Sequence, residues 1–175
     1  VKLLSMLVRL RGRIVDLYET LGYSGLTVNA QDIAELLEHT TDRRVLCRFP
    51  DADVVKHAAL MHDGNGHYFI NISKEIRKEV GIDFGDEVDF ELSPDNSKYG
   101  MPLPEEMAVL LEQDPEADRV FHTLTLGKQR SLLYLIGKPK TSDTRLTKAL
   151  GVVEYLKSTN GKLDFKELNA SLKQK

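Results

Sequence analysis

Two histidines bracket a turn in the run His62-Asp63-Gly64-Asn65-Gly66-His67. Imidazole and carboxylate are ligands for zinc or iron, and a tight turn is one way to bring two of them face to face. A metal centre needs a third firm ligand, which the neighbouring sequence does not supply. His62 and His67 therefore read as polar surface beside a hairpin, with no metal and no cofactor expected. Cys47, the single cysteine, sits between Leu46 and Arg48 with Val45 and Phe49 as same-face neighbours. A thiol in such a strand packs as a small hydrophobe, and no adjacent base or helix N-terminus is there to activate it. One cysteine also rules out an intrachain disulfide and fits a reducing cytoplasm.

A third group is basic: Lys128, Arg130, Lys138, Lys140 and Arg145, with Lys148 following. These residues bracket a helix, a turn and a second helix. Together with Thr141, Ser142 and the second helix's N-terminal amides they offer an anion a place to bind. That anion would be a nucleic-acid or nucleotide phosphate, a small anionic ligand or an acidic protein partner; solvated helix faces are the competing explanation. As a DNA-reading helix-turn-helix the stretch is weak, because its turn is long and carries Lys-Pro-Lys where a glycine is usual. Asp95 and Tyr99 are placed to line a cleft at a domain junction, where ligand sites often form, or else to make a hydrogen-bonded turn. The chain has no GxSxG elbow, phosphate-binding glycine loop, HExxH or metal-spaced cysteine pair. No catalytic residues are expected, and the chain reads as a non-enzyme.

The elements that must hold these groups are clearest from His67 to Asp95. Tyr68, Ile70 and Ile72 alternate with His67, Phe69 and Asn71, the period of two of a strand with one buried face. Ser73 caps a helix with Glu75 in its first turn, and Gly81 closes it. After a turn at Gly85 and Asp86, Val88, Phe90 and Leu92 face one way and Glu87, Asp89 and Glu91 the other. Asn65-Gly66 marks a hairpin between VVKHAALMH and HYFINIS.

A fainter copy of this pattern precedes it. At one constant offset Ile33 maps onto Ile76, Val45 onto Val88, Cys47 onto Phe90 and Phe49 onto Leu92. GLTVNA, AQDIAELLEH and RRVLCRF then repeat strand, helix and strand, which points to one barrel built from two similar halves. Arg44 and Arg48 stand where the second copy has Glu87 and Glu91, a pattern suited to pairing across neighbouring strands or with partner surfaces. The N-terminal VKLLSMLV is too short to span a bilayer and lacks a cleavage site. It reads as the start of the first strand, with Val8, Leu10 and Ile14 inward and Arg9, Arg11 and Arg13 outward. Such a basic ribbon can contact phosphate, as in sheet-based DNA readers, or be solvated and acid-paired.

SPDNSKYGMPLP ends the sheet, with Pro94, Pro102, Pro104 and a glycine in one short run. Beyond it the period turns helical. Pro104 takes the first position of a helix in which Met107, Leu110 and Leu111 share one face. Pro115 opens a second helix and Thr125 caps a third, which Pro139 breaks. Ser142 or Asp143 caps a fourth, with its stripe of Leu146, Ala149, Leu150, Val153 and Leu156. Gly161 precedes a last short helix around Phe165, Leu168 and Leu172. The expected division is residues 1–96 and 97–175.

Composition bounds the function. The chain has 175 residues, 41% of them hydrophobic, a formal charge of -3 and a pI near 6.0. That is enough apolar content for an unstapled core, and it is not the strongly basic footprint of a nonspecific nucleic-acid binder.

The strand, helix and GIDFGDEVDFEL pattern resembles the swapped-hairpin element of AbrB-like double-split β-barrels, and in particular the uncharacterised family in which one chain supplies both halves. SKYGMPLPEEM and then FHTLTLGKQRSLLYLIGKPKTSDTR resemble the small helical domain of the YdeI or OmpD-associated family, also called bacteriocin-protection. That second likeness rests on Phe121, Leu124, Arg130, Tyr134, Ile136, Lys138, Lys140 and Arg145. The resemblance implies an α+β chain, an N-terminal double-split β-barrel followed by a small helical bundle, in a bacterial cytoplasmic protein acting in stress or bacteriocin tolerance. Its members have no established biochemical role. The expected function is a non-enzymatic binding or interaction module for a protein or small anionic ligand. The alternative is a DNA-binding regulator of AbrB-like type, an argument from fold alone.

Overall fold

The structure, a computed structural model, describes residues 6–17 and 23–173. The chain divides into two compact units, Val1–Gly100 and Met101–Lys175. The first residues of the expected N-terminal strand lie outside the described residues.

The first unit is a curled antiparallel sheet in the order β4-β3-β7-β1-β2-β6-β5. Its strands are β1 (Val8–Asp16), β2 (Ser24–Val28), β3 (Arg44–Phe49), β4 (Val54–Ala59), β5 (Met61–His62), β6 (Tyr68–Ile72) and β7 (Glu87–Pro94). The expected VVKHAALMH strand is broken at Leu60, whose backbone N–H turns to the carbonyl of Arg43 at 2.9 Å. The curl brings β4 and β6 into contact. β1 serves two neighbours, pairing with β7 from Val8 to Arg13 and with β2 from Ile14 to Asp16. Gly12 sits at this changeover. A side chain there would place its Cβ 2.2 Å from the Thr27 carbonyl oxygen, so the close approach of β2 requires glycine.

Both strand-helix-strand runs form, β2-α1-β3 and β6-α2-β7, with α1 at Ala34–Glu38 and α2 at Lys74–Val80. Equivalent strands lie side by side, β2 with β6 and β3 with β7. Leu26 pairs with Ile70 and Thr27 with Phe69. The offset that relates the two halves exchanges these two pairs, as a two-fold relation requires. Helix α2 has the expected ends: the Ser73 hydroxyl accepts from Ile76 N–H, and Gly81 takes a left-handed φ of 78°. Helix α1 is shorter than AQDIAELLEH, because the Asn29 side chain and carbonyl accept from Gln31 and Asp32 and hold the first residues in a turn. Ile14, Leu26, Ile33, Leu36, Val45, Cys47, Phe49, Ile70, Phe90 and Leu92 fill the interior.

This unit runs on to Gly100 because the strap after β7 is tied back to the sheet. Asp95 N–H donates to the Arg44 carbonyl at 3.1 Å, the Arg44 guanidinium donates to the Gly100 carbonyl at 2.5 Å, and Tyr99 is buried.

The second unit is helical: α3 (Glu105–Gln113), α4 (Pro115–His122), α5 (Leu126–Gly137), α6 (Ser142–Ser158) and α7 (Phe165–Lys173). Thr125 caps α5 as expected. Two ends differ from the sequence reading. Pro104 is the residue before α3's first turn, with extended ψ, and Thr141 caps α6 by accepting from Thr144 N–H. Ser142 is thereby drawn into the helix and its hydroxyl is left for another task. Met107, Ala117, Val120, Phe121, Leu132, Leu133, Ile136, Ala149, Val152, Leu156 and Leu168 form the core. Among the described residues no helix is long and apolar enough to cross a membrane.

Candidate functional site

The basic group does not assemble as one patch. Arg145, in the first turn of α6, has its donors committed inside the helical unit. Its Nε and Nη2 reach Glu106 Oε1 at 3.0 and 2.9 Å, and Nη1 reaches the carbonyls of Pro139 and Lys140 at 3.2 and 3.0 Å. The Ser142 hydroxyl donates to the same Glu106 oxygen at 2.7 Å. The sequence offers this helix end as a place for an anion, and in the structure a carboxylate of the chain itself, Glu106, stands there. The Arg145 guanidinium and the Ser142 hydroxyl hold its carboxyl down to about 2, and Glu106 in turn raises Arg145 further.

Around this pair lies a pocket of about 350 Å³, near the lower end of ligand-sized cavities. Met101, Pro102, Pro104 and Leu133 give it apolar walls, Tyr134 stands at its side, and Glu105, Glu106, Lys138 and Arg145 supply its charge. Gly137 lets α5 come close to Pro104, since a Cβ there would lie 3.3 Å from the Pro104 ring. Tyr134 is 63% exposed although Leu133 beside it is fully buried, so the tyrosine presents its ring to the opening. Lys138, just past α5, is exposed and makes no side-chain hydrogen bond or ion pair among the described residues. Lys128 and Arg130 lie outside the pocket: α5 rises about 1.5 Å per residue, which puts Lys128 roughly 15 Å from Lys138 along the axis. Lys140 contributes its carbonyl to Arg145, while its side chain is exposed. Of the sequence-expected set the pocket therefore unites Lys138 and Arg145. Glu106 was missed, although an Arg on the inward side of one helix signals that a carboxylate must come from another.

The remaining candidates are placed apart. Asp95 is buried and linked to His57 Nδ1 at 2.7 Å and to the Ser97 hydroxyl and N–H at 2.6 and 3.0 Å. Burial pushes its carboxyl up, but the Ser97 and His57 hydrogen bonds outweigh that and hold it below the usual range. His67 Nδ1 meets Asp63 Oδ2 at 2.8 Å, whereas His62 Nδ1 accepts from Gly64 N–H at 3.0 Å and its ring packs edge-on to Tyr68. The hairpin thus engages its two histidines separately. Among the described residues no three His, Cys, Asp or Glu side chains stand together as metal ligands would. Burial pushes the Cys47 thiol up to about 12, with Lys56 opposing, and lowers Lys56 opposite it.

The exposed arginines of β1 face the acidic side of β7. Arg9 meets Glu91 at 3.1 Å, Arg11 meets Glu87 at 3.2 Å and Asp89 at 3.3 Å, and Arg13 meets Glu87 at 3.2 Å. Arg48 on β3 stands opposite Glu91 in register and pairs with Asp53. These pairs account for the charge alternation of both strands.

Residues 101–158 match the model of a family described as Bacteriocin-protection, YdeI or OmpD-Associated, and residues 13–92 match Domain of unknown function (DUF1905). The first is a likeness of part of the helical unit and the second of most of the sheet unit. The first spans every residue lining the pocket; the second runs from Arg13 in β1 to Leu92 in β7. No curated protein and no solved structure matches the chain.

Proposed function

We propose that this chain is a cytoplasmic binding module without catalytic activity, and that its helical unit takes a small ligand with an apolar body and an anionic group. The observation that carries this reading is the pocket of α3, α5 and α6, where Lys138, unpaired among the described residues, stands beside walls of Met101, Pro102, Pro104 and Leu133. An ammonium on a flexible stem can close over a carboxylate or phosphate once the apolar body is seated. The titrating groups support a non-catalytic role. Glu106 is held near 2 and Cys47 near 12, both far from the neutral range where proton transfer is efficient. The buried single thiol supports a reducing compartment.

For the sheet unit the double-split barrel of AbrB-like proteins is our reading of the topology, supported by the two strand-helix-strand halves and by the pairing of equivalent strands. Our reading of the process is stress or bacteriocin tolerance, which the bacteriocin-protection wording of the family matched by the helical unit supports in part. The DNA-binding alternative is disfavoured by the pairing of Arg9, Arg11 and Arg13 with β7, since phosphate would have to displace a carboxylate at each.

Two titrations test the proposal. With 3-phenylpropanoate as probe, the amide resonances of Leu133, Tyr134, Gly137 and Lys138 move saturably and Lys138→Gln weakens the effect; a flat response both to this probe and to L-phenylalanine at millimolar concentration would overturn it. Against a mixed-sequence DNA duplex, anisotropy stays flat at low salt. Binding that weakens steeply with added salt would revive the regulator.

A further inference from the structure

An anionic group on the ligand answers Lys138 but leaves one oxygen of Glu106, a residue that lines the pocket, without a partner among the described residues. Glu106 is 9% exposed, and its Oε1 accepts from Ser142 and Arg145. Its Oε2 is buried and accepts no hydrogen bond from any described residue. Buried carboxylate oxygens are almost always met by a donor, so this one calls for a donor that the described residues do not supply. The charge of the lining points the same way. Glu105 and Glu106 stand against Lys138 and Arg145, so the pocket is formally neutral and gives a net anion no general advantage.

We infer that the ligand is a zwitterion of the α-amino acid class with an apolar side chain, its ammonium donating to Glu106 Oε2 and its carboxylate meeting Lys138. The apolar side chain lies against Pro104, Leu133 and the Tyr134 ring. Glu106 is suited to this because Arg145 and Ser142 fix its Oε1 and so orient the carboxylate before the ligand enters. Lys138 is suited because its stem lets the charge follow carboxylates at slightly different positions. A ligand that lacks the ammonium forfeits the hydrogen bond to Oε2 and leaves that oxygen unmet. A ligand that lacks the carboxylate leaves Lys138 in water.

This inference rests on the pocket being the ligand site, and the test separates the two. The full chain is titrated with L-phenylalanine, 3-phenylpropanoate and phenethylamine, following the amides of Leu133, Tyr134 and Gly137. L-Phenylalanine binds at least about tenfold more tightly than either half-ligand, the factor expected of a hydrogen bond to a charged group. Glu106→Gln, which can put an amide N–H where Oε2 was, abolishes that preference. Equal binding of L-phenylalanine and 3-phenylpropanoate overturns the zwitterion and leaves the anion-binding pocket standing. Preference retained in Glu106→Gln also overturns it. If none of the three probes moves these amides, the pocket reading fails as well. The comparison among ligands on the unaltered chain decides the matter even where Glu106→Gln unfolds the helical unit.

Discussion

The two units use the same ionic chemistry for opposite ends. In the sheet, arginines of β1 meet the carboxylates of β7 on an open face; Arg11 is 62% exposed and its partner Asp89 65%. In the helical unit one pair, Glu106 with Arg145, is 8% and 27% exposed and is joined by Ser142. Water screens the first set, and each pair adds little stability. The second is sheltered, so its geometry is held and its unmet oxygen matters. A ladder of exposed pairs neutralises a face, whereas a single buried pair with one oxygen to spare creates a place for something else.

The comparison breaks most readily at the sheet's interior, which carries the stability its charges do not. Phe90 is 1% exposed and its ring lies 6.5 Å from that of Phe49. Phe90→Ala costs the sheet unit about 3–5 kcal/mol, read from the urea midpoint. Next in size is Arg145→Ala, which leaves the Glu106 carboxylate buried with Ser142 as its partner. The helical unit then unfolds at lower urea while sheet resonances keep their own transition; coincident loss of both would mean the pair's influence is not confined to its unit.

Acid sharpens the contrast. The folded Glu106 carboxyl lies near 2, below its ordinary 4.5, so its stabilising effect is complete above 4.5 and drains away as the pH falls from there towards 2. Glu87 is likewise held below the usual range, by hydrogen bonds from Arg13 and then Arg11, but on an open face. Added salt at pH 6 should weaken what Glu87 contributes and leave Glu106 nearly unchanged, and side-chain carboxyl titration by NMR at two ionic strengths reads both. The smallest effect is Arg11→Ala, whose urea midpoint moves several-fold less than that of Phe90→Ala and moves less still in high salt.

What the sequence revealed follows the reach of each interaction. Ser73, Gly81, Gly85 and Thr125 act on neighbours within a turn, and each was legible from its own few residues. The alternation of β7 was equally plain, and its acidic face announced that a basic partner was needed. Which strand would supply that partner was not readable, since Arg11 and Glu87 meet across most of the sheet unit's length. The candidate site was half visible for the same reason. Lys138 and Arg145 stood out as charges, but the carboxylate that claims Arg145 comes from α3, and nothing local ties Glu106 to Ser142. Even the cap of α6 turned on this: Thr141 takes the capping role and Ser142 is free for Glu106.

Cys47 lies on the inward side of β3 with no exposed surface, its thiol held protonated at neutral pH. A thiol-specific reagent can therefore react with it only in molecules whose sheet has come apart, and the rate of labelling counts those molecules. The chain carries its own gauge of how often that unit opens, one that a mutation, a ligand or a change of solvent can be measured against without adding any probe.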